Sequence, residues 1–536
     1  MGMKLRHFSL LLSLLVLAGP SAVRAQRRGQ PAPLPPNAPK QTARTELFLE
    51  QSSSEVHVQA LPADSTVVLL VGRERPLSNK SYFAFQQYDQ SLHLRNEVAL
   101  EVPDEFDFTR MCAEGNTVFA LFTSHSNPGR LWAAAYNGRI GQVKTQPFET
   151  RLSRDVVELK ALDGRLFATV LLNDQLHVSA LLLDIASGQM QYLSSIYEPL
   201  PTQLTFVADA ASRRAEYVLS QTNGRKSRLL LKRLTDRGQL VSSEFVQAES
   251  DRSLITAQLT PPQDTTARLL MGTYSLRNPS FAQGLFATDL RPAAGTGIKP
   301  PLRFYDFLRL KHFFDYLKPR RQVRLRERNE RRAARSVSPM RWRYRLLLHE
   351  LLPQPDGGYV LVAEVYYPHY RYNSYSNYVG PFNNIGNQFG SSNYGSSRVF
   401  DGYQTTHALV CGFDRSGTLL WDNTFVVENL RRYELEEAVR LQTLPDGRLV
   451  LAYLDEEKLR YKLVNRAESS PNDQQVPLQT GVGPNATLAS TERISNTSQA
   501  DILPWFGSRF VATGYQRVRA ANGPDREVFF LNSVVF

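Results

Sequence analysis

The chain has 536 residues, of which 42% are hydrophobic and 21% charged, with a formal net charge of +12. Its two cysteines, Cys112 and Cys411, are too few for a disulfide framework, and a chain of this length can bury a core without cross-links. We expect both thiols to be buried and unpaired, because apolar residues precede each of them; a disulfide between them is the alternative. After residue 25, no apolar run is long enough to form a membrane-spanning helix.

Residues 1–25 have the pattern of a secretory signal peptide. Lys4 and Arg6 precede an apolar run of about a dozen residues, which is short for a bilayer span. Val23 and Ala25 fit the positions that a signal peptidase reads before its cleavage site. The pattern predicts an exported protein, in the periplasm, at the cell surface or outside the cell. An uncleaved N-terminal anchor is the alternative.

A proline-rich linker is predicted for residues 26–45. Proline fixes φ and removes a backbone donor, so this polar stretch should be extended and unpacked.

The remaining chain, residues 46–536, repeats one β unit. Three copies are clearest, because an Asp-Gly pair precedes a strongly apolar strand at Asp163-Gly164, Asp356-Gly357 and Asp446-Gly447. Glycine accepts positive φ without steric cost, so each pair predicts a hairpin turn. Weaker copies extend the series, and the apolar strands begin near residues 67, 118, 166, 217, 269, 359, 449 and 510. The first four intervals are 48 to 52 residues, as expected for a four-stranded blade.

This spacing predicts an all-β fold, a seven- or eight-bladed β-propeller. A second set of turns, such as Asn137-Gly138, should join the third and fourth strands of a blade. Predicted strands at Glu46–Glu50 and Val528–Phe536 would let one terminus complete a blade begun by the other. A membrane β-barrel and a pair of β-sandwiches are the competing architectures. The run Val67–Val71 is apolar on both faces, which favours strands buried between packed blades.

Residues 303–345 form a basic insertion in this array. It contains fifteen basic and four acidic residues, a net charge of +11, so the rest of the chain is close to neutral. Apolar residues from Phe304 to Leu317 recur at three- and four-residue steps, and Pro319 suits the first position of a further helix. We therefore expect a helical hairpin or a bent helix, with its first half docked on the propeller.

The second half of the insertion is a candidate docking surface for a polyanion. Arginine pairs bidentately with phosphate and carboxylate, and a row of arginines concentrates anions. The alternative is a solvated charged helix without a ligand. The candidate contact residues are Arg320, Arg321, Arg324, Arg328, Arg331, Arg332 and Arg335.

Residues 366–403 form a tyrosine-rich loop among asparagine, glycine and serine. Tyrosine supplies broad amphipathic contact area at low entropic cost, which suits a glycan or a protein surface. The alternative is a low-complexity extension of a hairpin. The flanks of the loop should be its ordered part. The candidate ligand-binding residues are Tyr366, Tyr367, Tyr370 and Tyr403.

Several short segments carry a family resemblance. They are Glu364-Val365-Tyr366-Tyr367-Pro368, Phe400-Asp401-Gly402-Tyr403, Phe413-Asp414, Leu420-Trp421-Asp422-Asn423 and the aromatic-then-basic Phe313-Phe314-Asp315-Tyr316-Leu317-Lys318-Pro319. With them the chain resembles a group of exported bacterial β-propeller-like proteins, with a helical insertion and no assigned activity. The resemblance covers roughly residues 300–430. It implies a cell-envelope setting and transfers no catalytic residue.

Known catalytic and cofactor motifs are absent from the sequence. There is no metalloprotease helix, nucleophile elbow, phosphate-binding loop or dinucleotide fingerprint, and the histidines lack ligand spacing. We therefore predict no cofactor, no metal site and no catalytic residue. Glu364 and Asp401 flank the tyrosine-rich loop; they could meet across its base, although a hydrogen bond that supports the hairpin is the preferred interpretation.

Three functional hypotheses remain. The first is a cell-envelope binding or scaffold protein, with an envelope protein, a glycan or another polyanion as partner rather than nucleic acid. The second is a carbohydrate-active or other hydrolytic enzyme with its site at the propeller centre. The third is a polyanion binder that uses the basic helix. Buried carboxylates converging on the central channel would favour the enzyme, and conspicuous outer aromatic residues would favour binding.

Overall fold

The computed structural model describes residues 37–74, 81–150, 153–172, 177–197, 202–209, 213–223, 226–248, 250–260, 268–276, 278–292, 300–335, 340–373, 397–428, 430–472, 474–481, 492–519 and 524–536. Residues 39–536 belong to one compact unit. The predicted signal peptide, the linker as far as residue 36 and the middle of the tyrosine-rich loop lie outside the described residues.

The chain forms an eight-bladed β-propeller. The first four blades follow one another in the sequence, each an antiparallel sheet whose strands pair in chain order. Blade one contains β2 (Ser54–Leu61), β3 (Thr66–Glu74), β4 (Ser81–Tyr88) and β5 (Leu94–Leu100), with a short 3-10 helix at Pro62–Asp64. Blade two contains β6 (Phe106–Glu114), β7 (Thr117–Ser124), β8 (Arg130–Asn137) and β9 (Gln142–Glu149). Blade three contains β10 (Ser153–Leu162), β11 (Arg165–Leu172), β12 (Val178–Asp184) and β13 (Gln189–Tyr192). Blade four contains β14 (Thr202–Asp209), β15 (Arg214–Asn223), β16 (Lys226–Thr235) and β17 (Leu240–Val246).

The last four blades carry the departures from this plan. Blade five contains β18 (Ser253–Leu259), β19 (Leu269–Ser275), β20 (Gly284–Asp289) and β21 (Arg303–Asp306), and the helix α1 (Pro319–Ala334) follows it. Blade six contains β22 (Arg345–Leu348), β23 (Leu352–Pro353), β24 (Tyr359–Asn373), β25 (Ser397–Phe413), β26 (Leu419–Val426) and β27 (Arg431–Arg432). Blade seven contains β28 (Arg440–Thr443), β29 (Leu449–Asp455), β30 (Lys458–Val464) and β31 (Gln474–Pro477). Blade eight contains β32 (Arg493–Pro504), β33 (Arg509–Arg519), β34 (Arg526–Val535) and β1 (Lys40–Leu47).

The predicted repeat is confirmed throughout the series. The eight predicted strand starts all fall within the first four residues of the second strand of a blade: β3, β7, β11, β15, β19, β24, β29 and β33. The Asp-Gly pairs occupy the turns before β11, β24 and β29, where Gly164, Gly357 and Gly447 have φ of +73°, +82° and +83°. The turn at Asn137-Gly138 joins the third and fourth strands of blade two, as predicted.

The two ends of the chain complete blade eight together. β1 pairs antiparallel with β34 as the outermost strand, so the predicted shared blade is confirmed. The N-terminal strand begins earlier than predicted, because Lys40–Thr45 of the predicted linker already belong to β1. Apart from a register shift between Gln41 and Ala43, these residues pair with β34 in the ladder, which a free linker would not do.

The strands are buried from both sides because neighbouring blades stack face to face. In β3, Val68 and Leu70 belong to the core shared with blade two, whereas Val67, Leu69 and Val71 belong to the core shared with blade eight. Full burial of a side chain of this size stabilises the fold by about 1.5–3 kcal/mol. The alternation explains why the run is apolar at every position. Cys112 and Cys411 are buried and unpaired, as predicted.

The prediction of a helix in the first half of the basic insertion is wrong. That half consists of β21 followed by turns, and only the second half is helical, beginning at Pro319 as predicted. Side-chain carboxylates take the backbone donors that a helix would need: Asp422 accepts the N–H groups of Lys311 and His312, and Asp306 accepts that of Leu308. The insertion still docks through its apolar residues as predicted, since Phe307, Leu310, Phe313 and Phe314 are buried in one core cluster.

Both insertions open on the same face of the ring. In an antiparallel four-stranded blade, the connection to the next blade and the turn between the second and third strands leave by one face, and the other two turns leave by the opposite face. α1 lies in the connection from β21 to β22, and the tyrosine-rich loop lies between β24 and β25. We call this face the upper face. Among the described residues, no helix combines the length and apolar character needed to cross a membrane.

Arg44 joins the N-terminal strand to the rest of blade eight. Its guanidinium donates to Glu46 Oε1 at 2.8 Å, to Gln516 Oε1 at 2.9 Å and to Asn532 Oδ1 at 3.1 Å, and lies over the ring of Phe530. The side chain is 3% exposed. Its loss would leave several buried acceptors without a donor.

We predict that Arg44→Ala lowers the free energy of unfolding by about 3 kcal/mol, because it breaks a buried, hydrogen-bonded ion pair. Urea denaturation of the purified protein measures this change. Arg519→Ala is the matched control in the same blade, since its exposed side chain pairs only at the surface with Asp525, and should cost less than about 1 kcal/mol. Equal losses in the two variants would contradict the role assigned to Arg44.

Candidate functional site

The base of the tyrosine-rich loop is an aromatic cluster on the long β24–β25 hairpin. Ring centroids of Tyr366 and Tyr403 lie 5.7 Å apart, those of Tyr403 and Phe400 5.1 Å, and those of Phe400 and Tyr370 5.9 Å. All three contacts are edge-to-face, the geometry that aromatic pairs prefer. Tyr370 and Phe400 remain 47% and 44% exposed. Three of the four predicted tyrosines are therefore brought together, and a phenylalanine that was not predicted links them.

Tyr367 lies on the other side of the hairpin and does not join this cluster. It is 37% exposed and close enough to act electrostatically on Tyr316, which precedes α1. Tyr316 stacks on His407 with ring centroids 4.0 Å apart, and its hydroxyl is 2.6 Å from that of Tyr344. The base of the hairpin and the start of the basic helix are therefore neighbours on the upper face.

Asp401 fixes the outer end of the hairpin base. Its carboxylate lies 3.3 Å from His369, 3.4 Å from Arg431 and 4.0 Å from Arg371. Glu364, the other candidate acid, lies opposite Ala408 in the β24–β25 ladder and has a separate set of partners. The idea that the two acids meet across the base is thus wrong, because the ladder register separates them.

Glu364 is a buried anchor between blades six and seven. Its Oε1 accepts hydrogen bonds of 2.8 Å from His349 Nε2 and from the backbone N–H groups of Ala438 and Val439. The side chain is 1% exposed. Burial alone would lower the pKa of His349, but the charges of Glu437 and Glu364 outweigh it and raise that pKa. Glu364 therefore orders the segment that brings Glu437 to the centre of the ring.

The basic helix is held by one of its arginines, and the predicted arginines lie elsewhere on its surface. Arg326 donates to the carbonyl oxygens of Leu308, Leu310 and Lys311 at 2.8–3.0 Å, so it fastens α1 to the docked turns. Of the seven predicted arginines, Arg332 is partly buried. The other six are exposed: Arg320, Arg321, Arg324, Arg328, Arg331 and Arg335.

Ion pairs cross the central opening of the propeller. The first strands of successive blades contact one another around the axis from blade one to blade six and from blade seven to blade eight, and that of blade eight contacts that of blade one. Lys160 of blade three lies 2.6 Å from Glu350 of blade six, and Arg110 of blade two lies 2.8 Å from Glu434, which precedes blade seven. Neither pair joins neighbouring blades, so both span the ring interior.

Glu158 lies in this interior and has a carboxyl group with a raised pKa. Burial raises its pKa to about 7 from an ordinary 4.5; Lys160 opposes the shift, while Glu350 and Glu437 add to it. Burial also acts on Lys160, but its acidic neighbours outweigh that effect and raise the pKa of the ammonium group. The interior thus holds a carboxyl group, that of Glu158, which is about half protonated at neutral pH. It lies beside Lys160, which stays charged.

The sequence contained only a weak signal for this central group. Glu158 and Lys160 alternate with Leu159 and Ala161, which marks one polar face of a first strand. Nothing in the sequence placed that face against Glu350, which is 190 residues from Lys160. Within the described ranges, no group of three or more His, Cys, Asp or Glu side chains could hold a metal ion.

Comparisons with known proteins do not assign the chain to a family. No family model matches the chain, and no curated protein matches its sequence. The structure of the polysaccharide lyase Uly1 is similar to this one: the match covers 79% of this chain and 89% of the lyase chain, with 7% identity and a TM-score of 0.38. The match to a prolyl endopeptidase covers 86% of this chain and 53% of the endopeptidase chain, with 8% identity and a TM-score of 0.36. A puromycin-hydrolysing peptidase of Mycobacterium tuberculosis covers 79% and 53% at 10% identity and a TM-score of 0.35. Overlaps at this level carry no argument about substrate or activity.

The raised pKa of Glu158 predicts a pH dependence of stability. The folded protein holds this proton more tightly than the unfolded chain, so the stabilising contribution is complete below pH 4.5 and is lost as the pH rises through about 7. In Glu158→Gln, the fall in unfolding free energy over that interval should shrink by on the order of 2 kcal/mol.

Urea denaturation between pH 4.5 and 8 measures the effect. Glu149→Gln, at an exposed position of the outer strand β9, is the control and should keep the wild-type profile. An unchanged profile in Glu158→Gln would rule out the proposed protonation.

Proposed function

We propose that the protein is an exported envelope protein that binds a glycan through the aromatic cluster on its upper face. The observation that carries the proposal is the chain of rings Tyr366, Tyr403, Phe400 and Tyr370, two of which stay largely exposed although they pack edge to face. Exposed aromatic side chains held rigid by their neighbours give contact area at little entropic cost. Export is supported by the N-terminal sequence pattern alone.

The rigidity of the cluster comes from the propeller beneath it. β24 and β25 are paired from Tyr359 to Asn373, so the aromatic residues continue a ladder that is anchored in the core. Asp401, held between His369 and Arg431, fixes the backbone beside Phe400. A flat ligand such as a sugar ring could therefore stack without ordering a loop, which lowers the entropic cost of binding.

We predict that Tyr370→Ala combined with Phe400→Ala weakens glycan binding at least about fivefold, because two aromatic contacts are each worth about 0.5–1.5 kcal/mol. The purified mature chain is screened on a glycan array, and the strongest hit is titrated by calorimetry. Phe48→Ala with Tyr197→Ala is the matched control, since both side chains are exposed elsewhere on the molecule. Binding that survives in the hairpin variant, or is lost equally in the control, would refute the proposal.

A second candidate function rests on Glu158. A carboxyl group with a pKa of about 7 inside the ring suits a general acid, which protonates the oxygen of a leaving group. Glu350, paired with Lys160 in the same interior, is the carboxylate available as its base. The chemistry would be hydrolysis of a glycosidic bond, with the substrate entering the central opening.

For this second function we predict that Glu158→Gln lowers kcat at least about a hundredfold and leaves glycan affinity unchanged, because amide cannot donate the proton. Release of reducing ends from the glycans bound on the array measures it. Absence of any turnover by the wild-type protein on those glycans would remove the hydrolase and leave the binding protein.

A further inference from the structure

The exposed arginines of α1 form a single row. Residues of an α-helix are about 100° apart, so Arg320, Arg324, Arg328 and Arg331 project within an arc of about 80°, and Arg335 directly follows the last helical residue. Neighbours in such a row are about 5–6 Å apart along the surface. The row therefore extends for roughly 20 Å, at 1.5 Å per residue.

The opposite side of the helix is already in use. Gln322 donates to the carbonyl oxygen of Leu317, Arg326 donates to the carbonyl oxygens of the docked turns, and Leu325 packs against the core cluster of blades five and six. These three residues lie on the side of the helix away from the row. The contacts fix the rotation of α1 about its axis, so that the arginine row faces solvent.

The charge of the row is largely uncompensated. In the described part of the chain, Arg320, Arg324, Arg328 and Arg335 form no ion pair. Glu327 lies 3.9 Å from Arg331, and both side chains are more than half exposed, so this pair is weak. Among the described side chains of the helix, Val323 is the large apolar residue that is strongly exposed, at 55%. A helix that lies in a membrane needs an apolar side free for lipid, and here that side is packed on the propeller.

We propose that α1 selects an acidic linear polysaccharide, whose carboxylates pair with successive arginines of the row. The inference deepens the proposed function and rests on it, because the same chain would stack on the aromatic cluster. A narrow row of cations matches one polyanionic strand rather than a flat anionic surface, and the guanidinium fork pairs bidentately with carboxylate. Arg321, beside the row, is close enough to act electrostatically on Tyr316 and Tyr344, next to the base of the hairpin.

The test compares two variants of the full mature chain, each with four substitutions. The first replaces Arg320, Arg324, Arg328 and Arg335 by glutamine, which retains good helix propensity. The control replaces four exposed arginines outside α1 by glutamine and changes net charge equally: Arg139, Arg237, Arg466 and Arg519. Circular dichroism and thermal denaturation of both variants verify that they fold as the wild type does.

The probes are polygalacturonate, neutral dextran and duplex DNA, titrated at 50 mM to 300 mM NaCl. We expect the row variant to bind polygalacturonate about tenfold more weakly than the control, with a shallower dependence of log K on log salt concentration. Equal affinity of the two variants for polygalacturonate would overturn the inference. Loss of DNA binding in the row variant, with polygalacturonate binding unchanged, would overturn it in favour of nucleic acid.

A variant with both Tyr370→Ala and Phe400→Ala separates this inference from the proposed function. If the aromatic cluster binds no glycan, this variant and the wild type will bind polygalacturonate equally, and the proposed function fails. If the aromatic cluster binds the polysaccharide but the arginine row does not, the variant with Tyr370→Ala and Phe400→Ala will lose polygalacturonate binding and the row variant will keep it.

Discussion

The structure depends on covering both faces of every sheet. The second strand of a blade is apolar at consecutive positions, as in Val67–Val71, so a neighbour must lie on each side of it. An open stack of eight sheets would leave the outer faces of the first and last blades in water. Closure into a ring supplies the missing neighbours and also removes exposed sheet edges. The pairing of β1 with β34 makes that closure a part of the hydrogen-bonded ladder.

Closure also divides the molecule into two unlike faces. Most turns between the first and second strands and between the third and fourth strands are short, except in blade five, and glycines with positive φ occupy many of them. The opposite face carries the long hairpin of blade six and the helix that follows blade five. Extra sequence is tolerated there because both insertions rest on buried aromatic or apolar residues, including Phe313 and Phe314. The regular strands therefore support the candidate contact elements, and the long strands β24 and β25 also carry the aromatic cluster.

Much of this fold could be predicted from local sequence, and the central charges could not. Asp-Gly turns and apolar runs depend only on residues close together in the sequence, within one hairpin. The second strands of all eight blades could therefore be predicted. The periodicity of Phe307, Leu310 and Phe313 was misleading, because compact turns capped by Asp422 also bury residues at that spacing. The contact between Arg110 and Glu434 joins residues 324 positions apart and exists only because the ring is closed. No local pattern encodes such a contact.

The shared blade has a consequence for how the chain acquires its structure. Gln41 Oε1 accepts a hydrogen bond of 2.9 Å from the side-chain amide of Asn532, and these two residues are 491 positions apart. A polypeptide that is delivered from its N-terminus must therefore keep its first strand unpaired until the last one has been delivered. Contacts between such distant residues make folding slow, and an unpaired strand edge invites association with other chains. Closure of this ring is thus a late event, and the edge of the first strand stays open to other chains until β34 pairs with it.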